Sequence, residues 1–325
     1  MMAGLLLTAV PPPHWAQAAD ITVDGTVCTL AEAIDSANND SAAGNGCADG
    51  SGDDSITLQS DVILADALPI ISSTINIDGG GHAIDGNGGD FPVLMVSDLS
   101  TANLTLNKAT VTGANHTGAG GGIFNATNGT LTLINSTVSG NTGAIGGGII
   151  NYGTLTLLNS TVSGNTATDT GGGIASASGI VTLKNSIISG NTADWPNEIY
   201  GDITSSDFNL FGHSGETDEE AFYLFTPGST DVNGTSDGTN TDLAAILNTT
   251  LTDNGGQAQT HALVAGSPAI DLDVSCNGDQ ITTDQRGYSR PVGSGCDAGA
   301  FEYGATTLET VGNMVPMYQL LLMKQ

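Results

Sequence analysis

Basic side chains are the scarcest feature of this 325-residue chain, which has 5 Lys and Arg against 34 Asp and Glu and a formal net charge of -29. A surface this negative repels phosphate backbones and anionic lipid head groups. The balance therefore argues against nucleic-acid binding and against adhesion to a bare lipid surface. It favours a soluble protein and is compatible with a salty or calcium-rich setting.

Aromatic residues are also few, at 5% of the chain, and this composition is unusual for a compact enzyme. Apolar residues nevertheless make up 39%, and there are 46 glycines. The chain thus has enough aliphatic surface for a core built from small repeated units. Disorder is therefore not expected.

Cysteines number only four, and they fall as two close pairs, Cys28 with Cys47 and Cys276 with Cys296. Each pair encloses a short loop, and a disulfide there would restrain the unfolded chain by about 3 kcal/mol. Neither pair has the spacing of a zinc or redox motif. Two local disulfides in an oxidising compartment are predicted, although four cysteines allow three pairings and free thiols are the alternative.

The N-terminus has the pattern of an export signal. An apolar run from Ala3 to Val10 precedes the small-residue sequence Ala16-Gln17-Ala18, which is typical of a cleavage site. A signal peptide at residues 1–19 is therefore predicted. The usual basic residues before the apolar run are missing, so a disordered apolar N-terminus is the alternative.

A repeated motif fills the middle of the chain. Its copies read LTLNKATVTGA from Leu104, LTLINSTVSGN from Leu131, LTLLNSTVSGN from Leu155, VTLKNSIISGN from Val181 and, more weakly, ITSSDFNLFGH from Ile203. Successive copies start 27, 24, 26 and 22 residues apart. A period of about 25 residues predicts a solenoid.

Apolar residues alternate within each copy, as at Leu131 and Leu133, which is the pattern of short strands with one face inward. Glycines stand at the bends, in SGN and GGGI, where positive backbone angles cost least. Helical solenoids lack this pattern. The sequence therefore predicts an all-β parallel β-helix with three short strands and three turns in each coil.

Stacking the coils about 4.8 Å apart brings like residues into register. Two inner apolar columns are predicted: Leu106, Leu133, Leu157 and Leu183, and Val111, Val138, Val162, Ile188 and Leu210. Two asparagine columns are predicted at bends: Asn135, Asn159 and Asn185, and Asn141, Asn165 and Asn191. Stacked amides can bond from coil to coil, so these columns are interpreted as structural ladders.

Less regular coils and a helix are predicted before the repeat. Apolar segments between Ser55 and Val96 have the pattern of two further coils. The preceding TLAEAIDSAN places its apolar residues on one helical face, with Thr29 and Glu32 as a capping box. Such a helix would cover the end of the solenoid, where an exposed strand edge would otherwise recruit other strands.

Motifs at both ends resemble secreted bacterial proteins. CTLAEAIDSANND, from Cys28, resembles an N-terminal signature that usually reads Cys-Ser-Leu-Arg-Glu-Ala, from which Thr29 and Ala31 depart. The segments 253–271 and 284–303 resemble the choice-of-anchor module of bacterial surface proteins, and the GGGI and SGNT units are similar to those of polymorphic outer-membrane proteins and pectate-lyase-like folds. These resemblances imply an exported right-handed β-helix that is displayed or released. They imply no single activity.

The predicted organisation has six segments. They are a signal peptide at 1–19, an N-terminal cap with the short helix at 20–55, β-helix coils at 56–213, an acidic loop or insertion at 214–250, a C-terminal anchor-type module at 251–303 and a tail at 304–325. The apolar run near the end, Leu320 to Met323, is far shorter than the roughly 20 residues of a membrane span. Release as a soluble protein is therefore expected, and a gene that has lost the end of its anchor is the alternative.

Catalytic groups are sparse in the predicted coils. Pectate-lyase-like enzymes combine a basic residue with calcium-binding carboxylates, but Lys108 and Lys184 lie three coils apart and cannot share a site. Related hydrolases use clustered aspartates, whereas the repeat from Leu104 to Thr192 contains only Asp169. No catalytic residue is assigned.

Charged residues elsewhere have structural interpretations. Arg286 and Arg290 lie beside Asp284 and Asp297 and are interpreted as an ion-pair network that holds a C-terminal cap together. The histidines show no metal-ligand spacing and are interpreted as turn or surface residues: His14, His82, His116, His213 and His261.

Calcium binding is a weaker hypothesis, and no metal or cofactor residue is assigned. Two acidic stretches have roughly calcium-loop spacing: Asp85, Asn87 and Asp90, and Asp231, Asn233, Asp237 and Asp242, where Ser236 replaces the required glycine. Ordinary turns, which favour Asp and Asn, are the alternative. A two-column array of outward threonines, like those of ice-binding solenoids, is complete on only two coils, at Thr130 with Thr132 and Thr154 with Thr156.

The function expected from the sequence is that of an exported structural or adhesion-type protein at the bacterial envelope surface or in its surroundings. The alternatives are a polysaccharide lyase or glycosidase-like enzyme and a calcium-dependent glycan-binding module. Extracellular glycans or cell-surface components are the expected partners. A monomer without a transmembrane span is expected.

Overall fold

Residues 18–41, 46–99, 101–257, 259–276 and 281–306 are described by the computed structural model. They form a parallel β-solenoid of about 7 turns, with about 26 residues in each turn, so the predicted β-helix is confirmed. Most of the predicted signal peptide and of the tail, residues 1–17 and 307–325, lies outside the described residues.

Three parallel sheets run along the solenoid. The first consists of Asp20–Val23, Asp54–Leu58, Thr74–Asp78, Asn103–Asn107, Thr130–Ile134, Thr154–Leu158, Ile180–Lys184 and Ser205–Asp207. The second consists of Val62–Ile63, Ala83–Asp85, Thr110–Thr112, Thr137–Ser139, Thr161–Ser163, Ile187–Ile188, Leu210–Phe211 and Val232–Asn233. The third consists of Leu94–Val96, Ile123–Asn125, Ile149–Asn151, Ile174–Ser176, Ile199–Tyr200 and Phe222–Tyr223.

Smaller elements connect and flank these sheets. Thr142–Ile145 pairs in parallel with Thr166–Thr170, and Thr252–Asp253 pairs antiparallel with Gln259–Thr260. The helices are Leu30–Asn39, Asp218–Ala221 and Leu243–Ile246. None of the helices in the described ranges has the length and apolar character needed to cross a membrane.

The predicted register is correct through four coils. Leu104, Leu131, Leu155 and Val181 pair in this order from one coil to the next. All four side chains are buried. Alternate residues of the same strands, such as Thr132, are only partly buried because a strand turns successive side chains to opposite faces. The inner faces of the three sheets therefore form one continuous aliphatic core.

The fifth coil is shifted by one residue from the prediction. Ile188 pairs with Phe211, and Leu210 pairs with Ile187. Phe211 thus faces the inner core, whereas Leu210 packs in a second cluster outside it. The prediction placed Leu210 in the inner column because the sequence offers two adjacent apolar residues there, and alternation alone does not say which one points inward.

Both predicted asparagine ladders contain side-chain hydrogen bonds. Asn185 Nδ2 donates to Asn159 Oδ1 at 2.6 Å. In the second ladder, Asn141 Nδ2 donates to Asn165 Oδ1 at 3.0 Å, and Asn165 Nδ2 donates to Asn191 Oδ1 at 2.9 Å. Asn159 and Asn185 also have positive φ angles of 48° and 52°, a conformation that asparagine adopts more readily than most residues.

A third ladder was not predicted. Asn125 Nδ2 donates to Asn151 Oδ1 at 2.7 Å, and Asn151 Nδ2 donates to Ser176 Oγ at 3.3 Å. These residues end successive strands of the third sheet. The ladder is hard to recognise in the sequence because its third member is a serine.

The N-terminal helix covers the first coils, as predicted. Thr29 and Glu32 form the capping box, and the apolar face, with Leu30, Ala33 and Ile34, is buried. The helix contacts the first strands of the first sheet. Cys28 is bonded to Cys47 beside it, and Cys276 is bonded to Cys296 in the C-terminal module, so both predicted disulfides are present.

The solenoid continues into the segment predicted as an acidic insertion. Phe222 pairs with Ile199 in the third sheet, and Val232 pairs with Leu210 in the second. The rings of Phe211, Phe222 and Phe225 pack edge to face with centroids 4.9 to 6.2 Å apart. Aromatic rings therefore fill the core in this final part of the solenoid.

The C-terminal module lies along the side of the second sheet. Gln285 accepts a hydrogen bond from Thr137 Oγ1 at 2.6 Å and donates one to Thr110 Oγ1 at 2.7 Å. Ala300 N donates to Thr161 Oγ1 at 3.0 Å, and Phe301 belongs to the same apolar cluster as Ile187. These contacts reach four successive coils, so the description of the module as an end cap is wrong.

Candidate functional site

A polar furrow lies between the outer face of the first sheet and the module segment 281–283. Its volume is about 410 Å³. We call it the furrow and define it by its lining residues: Ser55, Asn76, Ile77, Asp78, Thr105, Asn107, Lys108, Ile134, Asn135, Ile281, Thr282 and Thr283. It exists because the module folds back over the coils, which the sequence does not reveal.

Strand alternation makes the wall of the furrow polar. In Thr74–Asp78 and Asn103–Asn107, the buried residues are aliphatic, while Asn76, Asp78 and Thr105 point outward. Asn76 pairs with Thr105, and Asp78 pairs with Asn107, so these polar groups form rows with the spacing of neighbouring strands. The furrow therefore presents amide and hydroxyl groups on a rigid sheet.

Two residues of one bend column stand out in the furrow. Lys108 and Asn135 occupy equivalent positions before the second sheet, with φ angles of 50° and 47°. Among the described residues, Lys108 has no carboxylate within ion-pair distance, and the buried Oδ1 atom of Asn135 has no hydrogen-bond partner. Buried polar atoms are normally paired, so this oxygen is an exception inside the wall of the furrow, and the Lys108 ammonium group is the side of this bend column that can bind a ligand.

Of the residues that the structure describes, the titratable ones that line the furrow are Asp78 and Lys108. Lys184 lines a separate depression of about 140 Å³ with Leu158, Asn159 and Ile281. The two lysines therefore do not share a site, as expected from the sequence. A glycosidase mechanism needs a pair of carboxyl groups, and the described lining of the furrow provides one.

The first calcium candidate is divided between two turns. Asp85 Oδ1 accepts the backbone N–H of Asn87 at 2.7 Å. Asp90 Oδ1 accepts the backbone N–H of Thr117 at 2.7 Å, and this bond is the largest cause of the lowered pKa of Asp90. The Asp85 carboxylate therefore stabilises its own turn, whereas the Asp90 carboxylate joins its turn to the turn of the next coil.

The second calcium candidate is similarly dispersed. Asp231 Oδ1 accepts the backbone N–H of Asn209, Asn233 Nδ2 donates to Asp218, and Asp237 accepts the backbone N–H of Asp218. Asp242 accepts a short hydrogen bond from Ser214 Oγ. These contacts join the loop to the last coils.

One cluster of potential metal ligands was missed by the sequence analysis. In the part of the chain that the structure describes, Glu198, His213 and Glu216 form the one group of three whose donor atoms all lie within 4.8 Å of one another. His213 Nδ1 accepts the N–H of Gly215 at 3.0 Å, so the neutral ring carries its proton on Nε2, which faces Glu216 Oε1 at 4.0 Å. That nitrogen has no free electron pair for a metal, and the geometry favours a proton-bearing cluster.

The interpretation of the histidines as turn or surface residues is wrong for His261. Its side chain is buried between the module and the second sheet, where Nδ1 donates to Asn248 O at 2.8 Å and Nε2 accepts from Ser139 Oγ at 2.8 Å. Burial lowers the pKa of His261. His82 and His116 do lie at turns, beside Asp61 and Asp90, and His14 lies outside the described residues.

The arginines of the module form buried ion pairs, as predicted, but with one different partner. Arg286 pairs with Asp284 at 2.6 Å, and Arg290 pairs with Glu302 at 2.9 Å. Asp297 instead accepts the backbone N–H groups of Asp271 and Tyr303. Burial raises the pKa of Glu302 to about 7 despite the neighbouring Arg290.

No protein-family model, curated protein or solved structure matches this chain. The function of this chain must therefore be inferred from its own residues and motifs.

Proposed function

We propose that this chain is an extracellular, adhesion-type structural protein of the bacterial envelope or its surroundings, and that the furrow contacts a glycan. The two disulfides support an oxidising compartment. The terminal motifs, which resemble those of exported bacterial surface proteins, support the location. The continuous core of the coils would make the molecule a rigid support for a binding surface.

Lys108 and Asp78 determine which kind of ligand fits the furrow. The Lys108 ammonium group is a donor that needs an acceptor, whereas the exposed Asp78 carboxylate is an acceptor that can take a further donor. A sugar offers hydroxyl groups that act in both ways on adjacent carbons. A simple anion would satisfy Lys108 alone, and a simple cation would satisfy Asp78 alone. A hydroxyl-rich ligand therefore fits the furrow best.

The furrow would bind a single glycan weakly. Its lining contains no aromatic ring on which a sugar could stack. Its aliphatic residues, Ile77, Ile134 and Ile281, provide limited apolar contact. Weak single contacts suit a surface protein that binds many copies of a glycan at once, because multivalency raises the overall affinity without new contacts.

A glycan array, probed with and without calcium, tests this proposal, and the glycan that binds is then titrated against variants. We expect Lys108→Gln to weaken binding by about tenfold or more, since a hydrogen bond to a charged group contributes about 1.5 to 3 kcal/mol. Lys184→Gln is the matched control, because Lys184 lines the other depression. Equal losses in both variants, or no loss in Lys108→Gln, would exclude the furrow as the site.

A polysaccharide-cleaving enzyme is the competing hypothesis. The furrow offers Lys108 as a base and Asp78 as its carboxylate, which is fewer acidic groups than calcium-assisted cleavage of an acidic polysaccharide requires. A turnover assay on polyuronides with added calcium distinguishes the two functions. Product formation that Lys108→Gln abolishes would favour the enzyme.

Export has its own test. Cysteines of the protein should be resistant to alkylation when it is taken directly from the cells that make it or from their medium. Fully alkylated cysteines before reduction would contradict an extracellular location.

A further inference from the structure

The second asparagine ladder ends at a carboxyl group. Within it, each side-chain N–H₂ group donates along the solenoid axis to the next coil, from Asn141 to Asn165 and from Asn165 to Asn191. Asn191 Nδ2 then donates to Glu198 Oε2 at 2.6 Å, and the N–H of Gly190 donates to Glu198 Oε1 at 2.6 Å. Glu198 therefore accepts the bonds that the next asparagine of the ladder would accept.

Glu198 occupies a position where the preceding coil has glycine. Ile174 pairs with Ile199, so Gly173 and Glu198 are equivalent. A Cβ atom at Gly173 would lie 2.8 Å from Asn191 Nδ2, too close for a side chain. In the coil that follows Glu198, the position equivalent to Asn191 is Ser214. Ser214 bonds to Asp242 instead, which leaves space for the glutamate side chain. The two changes, glycine to glutamate and asparagine to serine, thus compensate each other.

A second carboxyl group lies beside the first. Glu198 and Glu216 are both buried, with exposures of 0% and 3%. Asn197 Nδ2 donates to Glu216 Oε2 at 3.0 Å, and the two carboxyl groups are within hydrogen-bonding reach of each other. His213 is the remaining titratable group that faces them, and no lysine or arginine does so among the described residues.

The pair therefore lacks a permanent positive charge. In the module, the buried carboxyl groups of Asp284 and Glu302 each have an arginine. His213 favours the ionised form of Glu216, but burial outweighs it. The two adjacent carboxyl groups therefore cannot both ionise easily, and retaining a proton is the remaining way to reduce their repulsion. Burial and the neighbouring Glu216 raise the pKa of Glu198 well above its ordinary value, and burial raises that of Glu216.

We propose that Glu198 and Glu216 hold one proton between them, and that this proton keeps the end of the solenoid closed. Loss of the proton would place two negative charges in a site that excludes water. The elements joined there, Ile199–Tyr200 and Phe222–Tyr223, are the last two strands of the third sheet. The final coils would therefore open as the pH rises, while the central coils stay folded.

The direction of the effect follows from proton binding. The unfolded chain releases both protons above about pH 4.5, whereas the folded pair keeps one. Stability from this pair is therefore complete below about pH 4.5 and is lost as the pH rises through the raised pKa of the folded pair. While one extra proton is retained, the folding equilibrium constant falls about tenfold for each pH unit.

The test compares the pH dependence of unfolding in the wild type, Glu216→Gln and Glu219→Gln. Glu216→Gln leaves an uncharged side chain beside Glu198 and should remove this tenfold fall. Glu219→Gln is the control, since Glu219 is an exposed neighbour and should leave the fall intact. Other groups, including Glu302, also titrate in this range, so the difference between variants is the decisive quantity. An unchanged pH dependence in Glu216→Gln would overturn the proposal.

A second measurement needs no variant. The backbone N–H of Glu198 donates to Ala221 O at 3.0 Å and reports whether the last coils are closed. We expect its hydrogen-exchange protection to fall by tenfold or more between pH 6 and pH 9, after correction for the intrinsic rate, while that of Leu133 stays constant. If protection changed equally with pH at Glu198 and Leu133, no local opening would occur, and this result would also overturn the proposal.

Discussion

The central coils and the C-terminal module bury polar groups in opposite ways. In the coils, neutral amides such as Asn141 and Asn165 bond to the same residue type one turn away. In the module, Arg286 and Arg290 form ion pairs with Asp284 and Glu302, and a disulfide closes the chain. A repeat gives each amide an identical partner in register. A segment without repetition needs specific charged partners instead.

The carboxyl pair of Glu198 and Glu216 lies where the regular repeat ends. The ladder has no further asparagine there, and the module's arginines are paired elsewhere. These two differences are the reason why we propose that this site, and not the middle of the solenoid, depends on a proton.

Removing one arginine from the module should have the largest effect. Arg290→Leu leaves the buried Glu302 without its partner and should lower the free energy of unfolding by about 3 to 5 kcal/mol at pH 8, as expected for a broken buried ion pair. Chemical denaturation measures the loss. A loss below about 1 kcal/mol, the range of exposed pairs, would show that the pair is not buried in solution.

The same variant should also respond to pH. The pKa of Glu302 is raised to about 7, so its contribution to stability is complete below about pH 4.5 and is lost as the pH rises through 7. Protonation removes the charge that Arg290→Leu leaves unpaired. The cost of the substitution should therefore be smaller at pH 5 than at pH 8. A cost that does not change between these values would contradict this account.

Breaking an amide ladder should have an intermediate effect. Asn159→Ala removes the acceptor of the Asn185 Nδ2 hydrogen bond and should cost about 1 to 3 kcal/mol at any pH between 5 and 8. Thr132→Ala is the control, because Thr132 faces outward from the first sheet and its loss should be nearly neutral. Equal costs at the two positions, measured by denaturation, would contradict the register.

The smallest effect is expected where the two regions meet. Thr161→Val keeps the shape of the side chain but removes the acceptor of the Ala300 N–H, at a cost of about 1 kcal/mol. Hydrogen exchange should show a loss of protection at Ala300 and none at Leu133. Thr132→Val, on the other face of the coils, should change neither site. An effect spread equally over coils and module would show that the two regions unfold as one unit.

Much of the fold could be predicted from the repeat. The inner columns through Leu183, the second asparagine ladder, the Asn159–Asn185 part of the first ladder, the capping helix and both disulfides were correctly inferred. Each of them depends on residues close in sequence or related by the repeat. The fifth coil was misaligned where this regularity weakens. At Leu210 and Phe211, both choices satisfy the hydrophobic pattern, and only packing against the module selects one.

The candidate sites were largely inaccessible to sequence analysis. The furrow needs the module segment 281–283 to lie over strands more than 140 residues earlier, and no local pattern predicts that contact. The burial of His261 has the same cause. Glu198 could have been noticed as a glutamate in the place of the last glycine of GGGI, but its neighbour Glu216 comes from the following coil.

The sequence by itself determined that this chain is a solenoid, because a period of about 25 residues with alternating apolar positions allows the coils to bury their aliphatic side chains only by stacking. It also determined which residues form the columns, since the repeat supplies the register. The tertiary structure alone decided where the module docks, which lysine lines the furrow and which carboxyl groups meet without a cation. Those arrangements depend on contacts between segments that share no repeat, and such contacts are set by packing in three dimensions.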